Sequence, residues 1–123
     1  MLADRCCVSG GWNAGNSNML GKELLPYVPT SALALLALQD RRELPEVARS
    51  VVWLTANWQR EPSPLALSLT KIAMSLHRQS PDGVERALRV HLASAGPAAN
   101  IATRAVSLYA SSGSRHEYAA LAV

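Results

Sequence analysis

Ser9-Gly10-Gly11-Trp12-Asn13-Ala14-Gly15-Asn16, with the apolar block Pro29-Thr30-Ser31-Ala32-Leu33-Ala34-Leu35-Leu36-Ala37-Leu38-Gln39 that follows, is the stretch from which the fold is read. Gly10, Gly11 and Gly15, together with Asn13, Asn16 and Asn18, tolerate positive φ. Residues 8–29 are therefore expected to form a long ordered loop rather than helix or strand. A loop of about 20 residues inside a compact domain needs an anchor or a function, and Trp12 is the expected anchor. Beyond Pro29 no polar side chain intervenes between Ser31 and Gln39. That pattern predicts a helix buried on more than one face, seated deepest in the fold.

C-terminal to this block, Asp40-Arg41-Arg42-Glu43 reads as a charged turn, and Pro45-Glu46 as the first turn of a second helix. Its apolar stripe is Val47, Val51, Leu54 and Trp58, with Glu46, Arg49, Ser50 and Asn57 on other faces, so it is amphipathic and peripheral. Ser63-Pro64 is a helix start, and Leu65, Leu69, Ile72 and Leu76 share a face that Leu67 and Met74 widen. Ser80-Pro81-Asp82 repeats the start signal before a fourth stripe, Val84, Leu88, Leu92 and Ala95. Gly96-Pro97 separates this from a fifth helix containing Ile101, Ala105, Leu108 and Tyr109, which Gly113 ends. Ser114 and Glu117 form a capping box that opens a short sixth helix with Tyr118 and Leu121.

On the N-terminal side, residues 1–7 read as the tail of a helix whose beginning is missing, and the chain is expected to begin inside a repeat. No stretch alternates with period two between turn residues, and the expected class is all-α. An internal echo supports repeats: Ser31-Ala32-Leu33-Ala34-Leu35 returns as Ser63-Pro64-Leu65-Ala66-Leu67, and Ala99-Asn100-Ile101-Ala102 begins a more degenerate third copy. Repeats of that length, each a helical hairpin, bury their faces only against neighbours.

The chain has 123 residues, one domain at most, covering 1–123 with the loop at 8–29 and helical hairpins over 30–123. Its net charge of +3 comes from arginines scattered over every segment, which describes a solvated surface. A nucleic-acid partner would need basic residues gathered on one face with aromatics between them, and none is expected. The longest apolar run, Ala32–Leu38, falls far short of the roughly 18 residues of a spanning helix. The N-terminus lacks the basic and apolar regions of a secretory signal, so a cytoplasmic location is expected. The only cysteines, Cys6 and Cys7, are neighbours that cannot staple distant segments, which favours a reducing compartment.

The Gly-Gly-Trp-Asn turn feeding an apolar helix resembles the prenyltransferase and squalene-oxidase repeat of the terpene-cyclase and prenyltransferase superfamily. Gly10, Gly11 and Trp12 match the second half of its loop motif, and Asn13, Gly15, Asn16, Leu20-Gly21, Pro26-Tyr27 and Thr30 look like bacterial members of the broader repeat family. The match covers roughly residues 5–76. It departs where the family has glutamine, because Cys6 lacks the amide that would link the Trp loop to a helix end. The resemblance implies a partial α/α toroid of about six helices, half a ring or the C-terminal end of a longer protein, with any ligand in the central cavity. Residues 32–38 and 65–76 would be inner helices, and 45–58 and 81–95 outer ones. An isoprenoid or other apolar small molecule is the implied ligand, and Trp12, Tyr27 and Thr30 are the candidate cavity or loop-anchor residues. Half a ring also exposes an apolar wall, which implies self-association or an upstream toroid segment.

Cyclases that resemble this chain begin with a clustered aspartic acid strong enough to protonate an alkene. Asp4, Asp40 and Asp82 are isolated in sequence, and aromatic rings to stabilise a carbocation are few: three Trp, three Tyr and no Phe. The related prenyltransferases hold zinc through Asp, Cys and His. Among Cys6, Cys7, His77, His91 and His116 no two fall at a ligand spacing, so no metal or other cofactor is expected. Cys6 and Cys7 read as small apolar residues at a helix end, His91 as a boundary residue, and His77 and His116 as surface or cap residues. Trp53 and Trp58 read as helix-packing residues. Two functions stay open: a toroid segment without complete catalytic machinery, and a non-catalytic helical-repeat scaffold or partner-binding module.

Overall fold

A computed structural model describes residues 2–13, 18–19, 22–23, 25–94 and 108–110. The described residues are mainly helical, in keeping with the expected all-α class, and four α-helices carry the fold: α1 (Val28–Ala37), α2 (Pro45–Asn57), α3 (Pro64–Leu76) and α4 (Asp82–Ser94). Proline stands in the first turn of α1, α2 and α3, where its missing N–H costs nothing. Ser63 caps α3 by accepting the Ala66 N–H at 3.2 Å. A 3-10 turn over Ala3–Arg5 replaces the expected helix tail, because Cys6 is already extended at ψ 135°. Inside the glycine-rich loop, residues Asn18–Met19 and Lys22–Glu23 pair antiparallel, Asn18 with Glu23 and Met19 with Lys22. Two-residue strands are too short to leave an alternating signature in sequence. Among the described residues no helix is long and apolar enough to cross a membrane.

α1 packs against α2 and α3, and α3 against α4, so two hairpins, α1/α2 and α3/α4, stack through their first helices. The 32-residue echo reappears in burial. Leu33 and Leu65 are exposed, Ala34 and Ala66 buried, Leu35 and Leu67 buried. The serines diverge: Ser63 is an exposed cap, whereas Ser31 lies inside α1, wholly buried.

The deepest helix is α3, not α1. Nine of its thirteen residues are buried, Thr70 and Lys71 among them, because α1 covers one side and α4 another. α1 keeps an open face at Leu33 and Ala37. Its apolar circumference was sufficient for all-round burial but did not compel it. One core cluster joins Trp12, Val28, Leu35, Val47, Trp53 and Leu54, and a second joins Leu67, Ile72, Met74, Leu76, Val84 and Leu88. Each such leucine or isoleucine contributes about 1.5–3 kcal/mol by leaving water. Trp58 packs against both clusters, and its ring lies 3.2 Å from where a Cβ on Gly83 would stand, so it joins α2 to the start of α4. Three burial expectations are corrected: Ser50 of α2 is buried beneath the glycine loop, Leu65 is exposed, and Leu108 and Tyr109 are exposed while Ala110 enters the core; Trp53 packs in the core as a helix-packing residue should. The remainder of the fifth helix and all of the sixth lie outside the described residues.

α3 ends without glycine. Arg78 takes the left-handed conformation at φ 61°, with Gln79 N–H bonded to Met74 O and Arg78 N–H to Ser75 O, a Schellman closure. Arg42 donates to the Leu76 carbonyl in the same turn. His77, expected at a surface or a cap, is the C-cap and is also buried, 7% exposed, with Nε2 2.6 Å from Leu35 O. A carbonyl only accepts, so Nε2 carries the proton. Burial lowers the His77 pKa below 6.5, the Leu35 carbonyl opposes this, and the nearby Arg42 charge adds to the lowering. The unfolded chain therefore binds more protons below pH 6.5, and stability falls as pH drops from there toward the folded pKa. The urea midpoint is expected to fall between pH 7 and 5 more in the native chain than in His77→Gln; equal slopes would show that His77 has the same pKa in the folded as in the unfolded chain.

Candidate functional site

The site grows from the Gly-Gly-Trp turn. Gly10 N–H bonds Cys7 O and Cys7 N–H bonds Gly11 O, both at 2.9 Å, folding residues 7–11 back on themselves. This closure requires φ 97° at Gly10 and 79° at Gly11. A Cβ at Gly10 would stand 2.8 Å from the Arg49 carbonyl oxygen, and one at Gly11 2.7 Å from Ser31 Oγ and 2.8 Å from Pro26 Cβ. Glycine is needed at both positions for conformation and for space.

Successive N–H groups of the turn are then taken by serines on two different helices. Gly11 N–H donates to Ser50 Oγ of α2 at 2.8 Å, and Trp12 N–H to Ser31 Oγ of α1 at 2.8 Å. Ser50 donates onward to Glu46 O, and Ser31 back to Trp12 O. Tyr27 N–H also donates to Trp12 O, at 2.8 Å, so both ends of the loop close on the tryptophan backbone. The Trp12 indole Nε1–H reaches Leu2 O at 2.8 Å and ties down the N-terminal segment. Ser50 thus links the loop to α2, with Cys6 Sγ 3.3 Å from the same hydroxyl. Cys7 is buried and accepts from Asn13 Nδ2 at 3.8 Å.

Ser31 and Ser50 were missed in the sequence. The available signal was spacing: Ser50 lies three residues after Val47 and four before Leu54, and Ser31 lies four before Leu35, on buried stripes. A serine at such a position needs a partner, and a glycine turn that bonds few of its own N–H groups supplies one.

Between the N-terminal segment and α1 lies a groove of about 360 Å³. Leu2, Trp12, Leu33, Ala34 and Ala37 form its apolar wall, with Arg5, Asn13 and Thr30 as its polar members. Trp12 and Thr30 are thus brought together in one cavity. Tyr27 does not line it; the residue is 51% exposed, and its backbone N–H closes the loop on Trp12 O. Trp12 is 2% exposed, so most of its ring packs in the core and little faces the groove. A second groove of about 450 Å³ shares Leu2 and Ala37 and continues toward the end of α1, where Asp4, Asp40 and Arg41 line it. Two aspartates isolated in sequence therefore meet on one surface. Among the described residues no three His, Cys, Asp or Glu side chains gather as metal ligands.

Comparison with known proteins finds no matching family model, no similar curated protein and no similar solved structure.

Proposed function

We propose that this chain is a helical-hairpin repeat segment of the α/α toroid type whose task is to hold an apolar small molecule, an isoprenoid in the first instance, and not to transform it. The carrying observation is the groove against α1, walled mainly by apolar side chains with Arg5, Asn13 and Thr30 as polar members, and of a volume that suits a small ligand. Two further features support the reading. The Gly-Gly-Trp loop is clamped to α1 and α2 by Ser31 and Ser50, which pre-forms the groove, and the first helices of the two hairpins stack as neighbours, as inner helices of a toroid would.

Calorimetric unfolding with squalene or farnesyl diphosphate tests this. Ligand at a hundredfold excess over Kd stabilises by about 2.7 kcal/mol, which for a domain of this size raises the transition by about 10 °C. Leu33→Glu, at an exposed position on the groove wall, is expected to abolish the shift without lowering the ligand-free transition. An unfolding transition that ignores both isoprenoids removes this reading and leaves the alternative, a scaffold that binds a protein partner.

A further inference from the structure

A pocket of about 220 Å³ opens where the start of α2 meets the end of α3. Val47, Val51 and Val52 of α2 supply its apolar wall, and Arg42, His77 and Gln79 its polar members. Hydrogen bonds hold the polar members beside one another. Arg42 donates to the carbonyl of Leu76, the residue before His77; His77 Nε2 is bonded to Leu35 O at 2.6 Å; and Gln79 Nε2 donates to the His77 carbonyl at 3.5 Å. No carboxylate lines the pocket, and Arg42 forms no ion pair with a described residue. Glu43, its neighbour in sequence, is exposed and is not among the lining residues, while Asp40 and Arg41 line the groove beside Leu2 instead. The charge that acts on the His77 imidazole is that of Arg42, and α2 lines the pocket with apolar side chains alone.

From this we infer that the pocket is a site for a small organic anion with a short apolar tail, its head at Arg42, His77 and Gln79 and its tail against Val51 and Val52. The site is separate from the groove along α1 and does not rest on the function proposed above. The carbonyl end of α3 carries partial negative charge, which the Arg42 bond to Leu76 O already answers. A guanidinium has several N–H donors, so others remain for charge-assisted bonds to an anionic head. His77 is 7% exposed with Nε2 engaged, which leaves Nδ1 as the nitrogen that gains a proton when the ring charges. An anion in the pocket favours that proton, against the burial and the Arg42 charge that oppose it. Binding therefore tightens as pH falls from 7 to 5.

NMR titration with butanesulfonate, butanol and butylammonium, whose charges stay constant between pH 5 and 7, tests the site. Butanesulfonate is expected to move the backbone amide signals of Arg42, Val51 and Gln79 along a saturating curve, and the other two probes to move them little. Arg42→Gln should weaken butanesulfonate by about tenfold. Val52→Glu and Val52→Lys lose the same apolar contact at a 70% exposed position and leave the bonds of Arg42 and His77 untouched. The first should abolish butanesulfonate binding and the second keep it. His77→Gln should remove the tightening at low pH. No saturable response to butanesulfonate, an equal response to butylammonium, or a Val52→Glu chain that binds like the native one overturns the inference. Shifts of the same size around the exposed Arg60 and Arg86 also overturn it, since they mark attraction to any arginine. An affinity that does not tighten below pH 7 overturns the placing of the head at His77.

Discussion

Gly11→Ala is expected to lower the stability of this chain by about 3–5 kcal/mol, the sum of a left-handed backbone forced on an L-residue and an overpacked contact. Gly11 sits at φ 79°, and its missing Cβ leaves room for Ser31 Oγ, Pro26 and the Trp53 ring, which would lie at 2.7, 2.8 and 3.0 Å. Ser31 cannot yield cheaply, because its hydroxyl already bridges the N–H and the carbonyl of Trp12. Against a total of about 5–15 kcal/mol for a domain, the loss is a large fraction of the whole. Urea denaturation followed by circular dichroism measures it. Gly83→Ala is the control: its φ is not in the left-handed range and its tightest neighbour, 3.2 Å away, is the end of the Trp58 ring, so the expected cost is about 1 kcal/mol or less. A Gly11→Ala midpoint no lower than that of Gly83→Ala would mean that the turn relaxes and the clamp is not needed.

Trp12→Ala is expected to cost about 3–5 kcal/mol, the usual range for a buried aromatic truncated to alanine. The ring packs in the first core cluster and its indole N–H holds Leu2. Trp12→Phe separates the two roles. It keeps most of the apolar area and loses the bond to the Leu2 carbonyl, about 1 kcal/mol. In Trp12→Phe the helices should unfold close to the native midpoint while trypsin cleaves after Arg5 faster, because the N-terminal segment is no longer tied. Unchanged cleavage would show that packing of Leu2 alone holds the segment.

Much of the helical frame was legible in the residues. Pro45 and Ser63-Pro64 mark starts that the structure keeps, because proline and a capping serine act within one turn and need no distant partner, whereas the Ser80-Pro81 start shifts by one residue and α4 opens at Asp82. The end of α3 was less visible. Arg78 occupies the position where glycine is the usual signal, and its left-handed turn is held by tertiary contacts, Arg42 on Leu76 and His77 on Leu35, made by residues more than thirty positions away. Of the three candidate site residues, Trp12 and Thr30 share a groove and Tyr27 stands outside it.

By itself the sequence determined the helical class, most helix starts, and the need for glycine in a turn that a tryptophan follows, since propensity, capping and left-handed backbone are local properties. Only the tertiary structure decided that α3 is the central helix, that Ser31 and Ser50 receive the turn, that Asp4 and Asp40 line one groove, and that Arg5 and Thr30 line another with Leu33. Those depend on which faces of the helices meet, and an apolar circumference such as that of α1 permits several packings until a neighbour selects one.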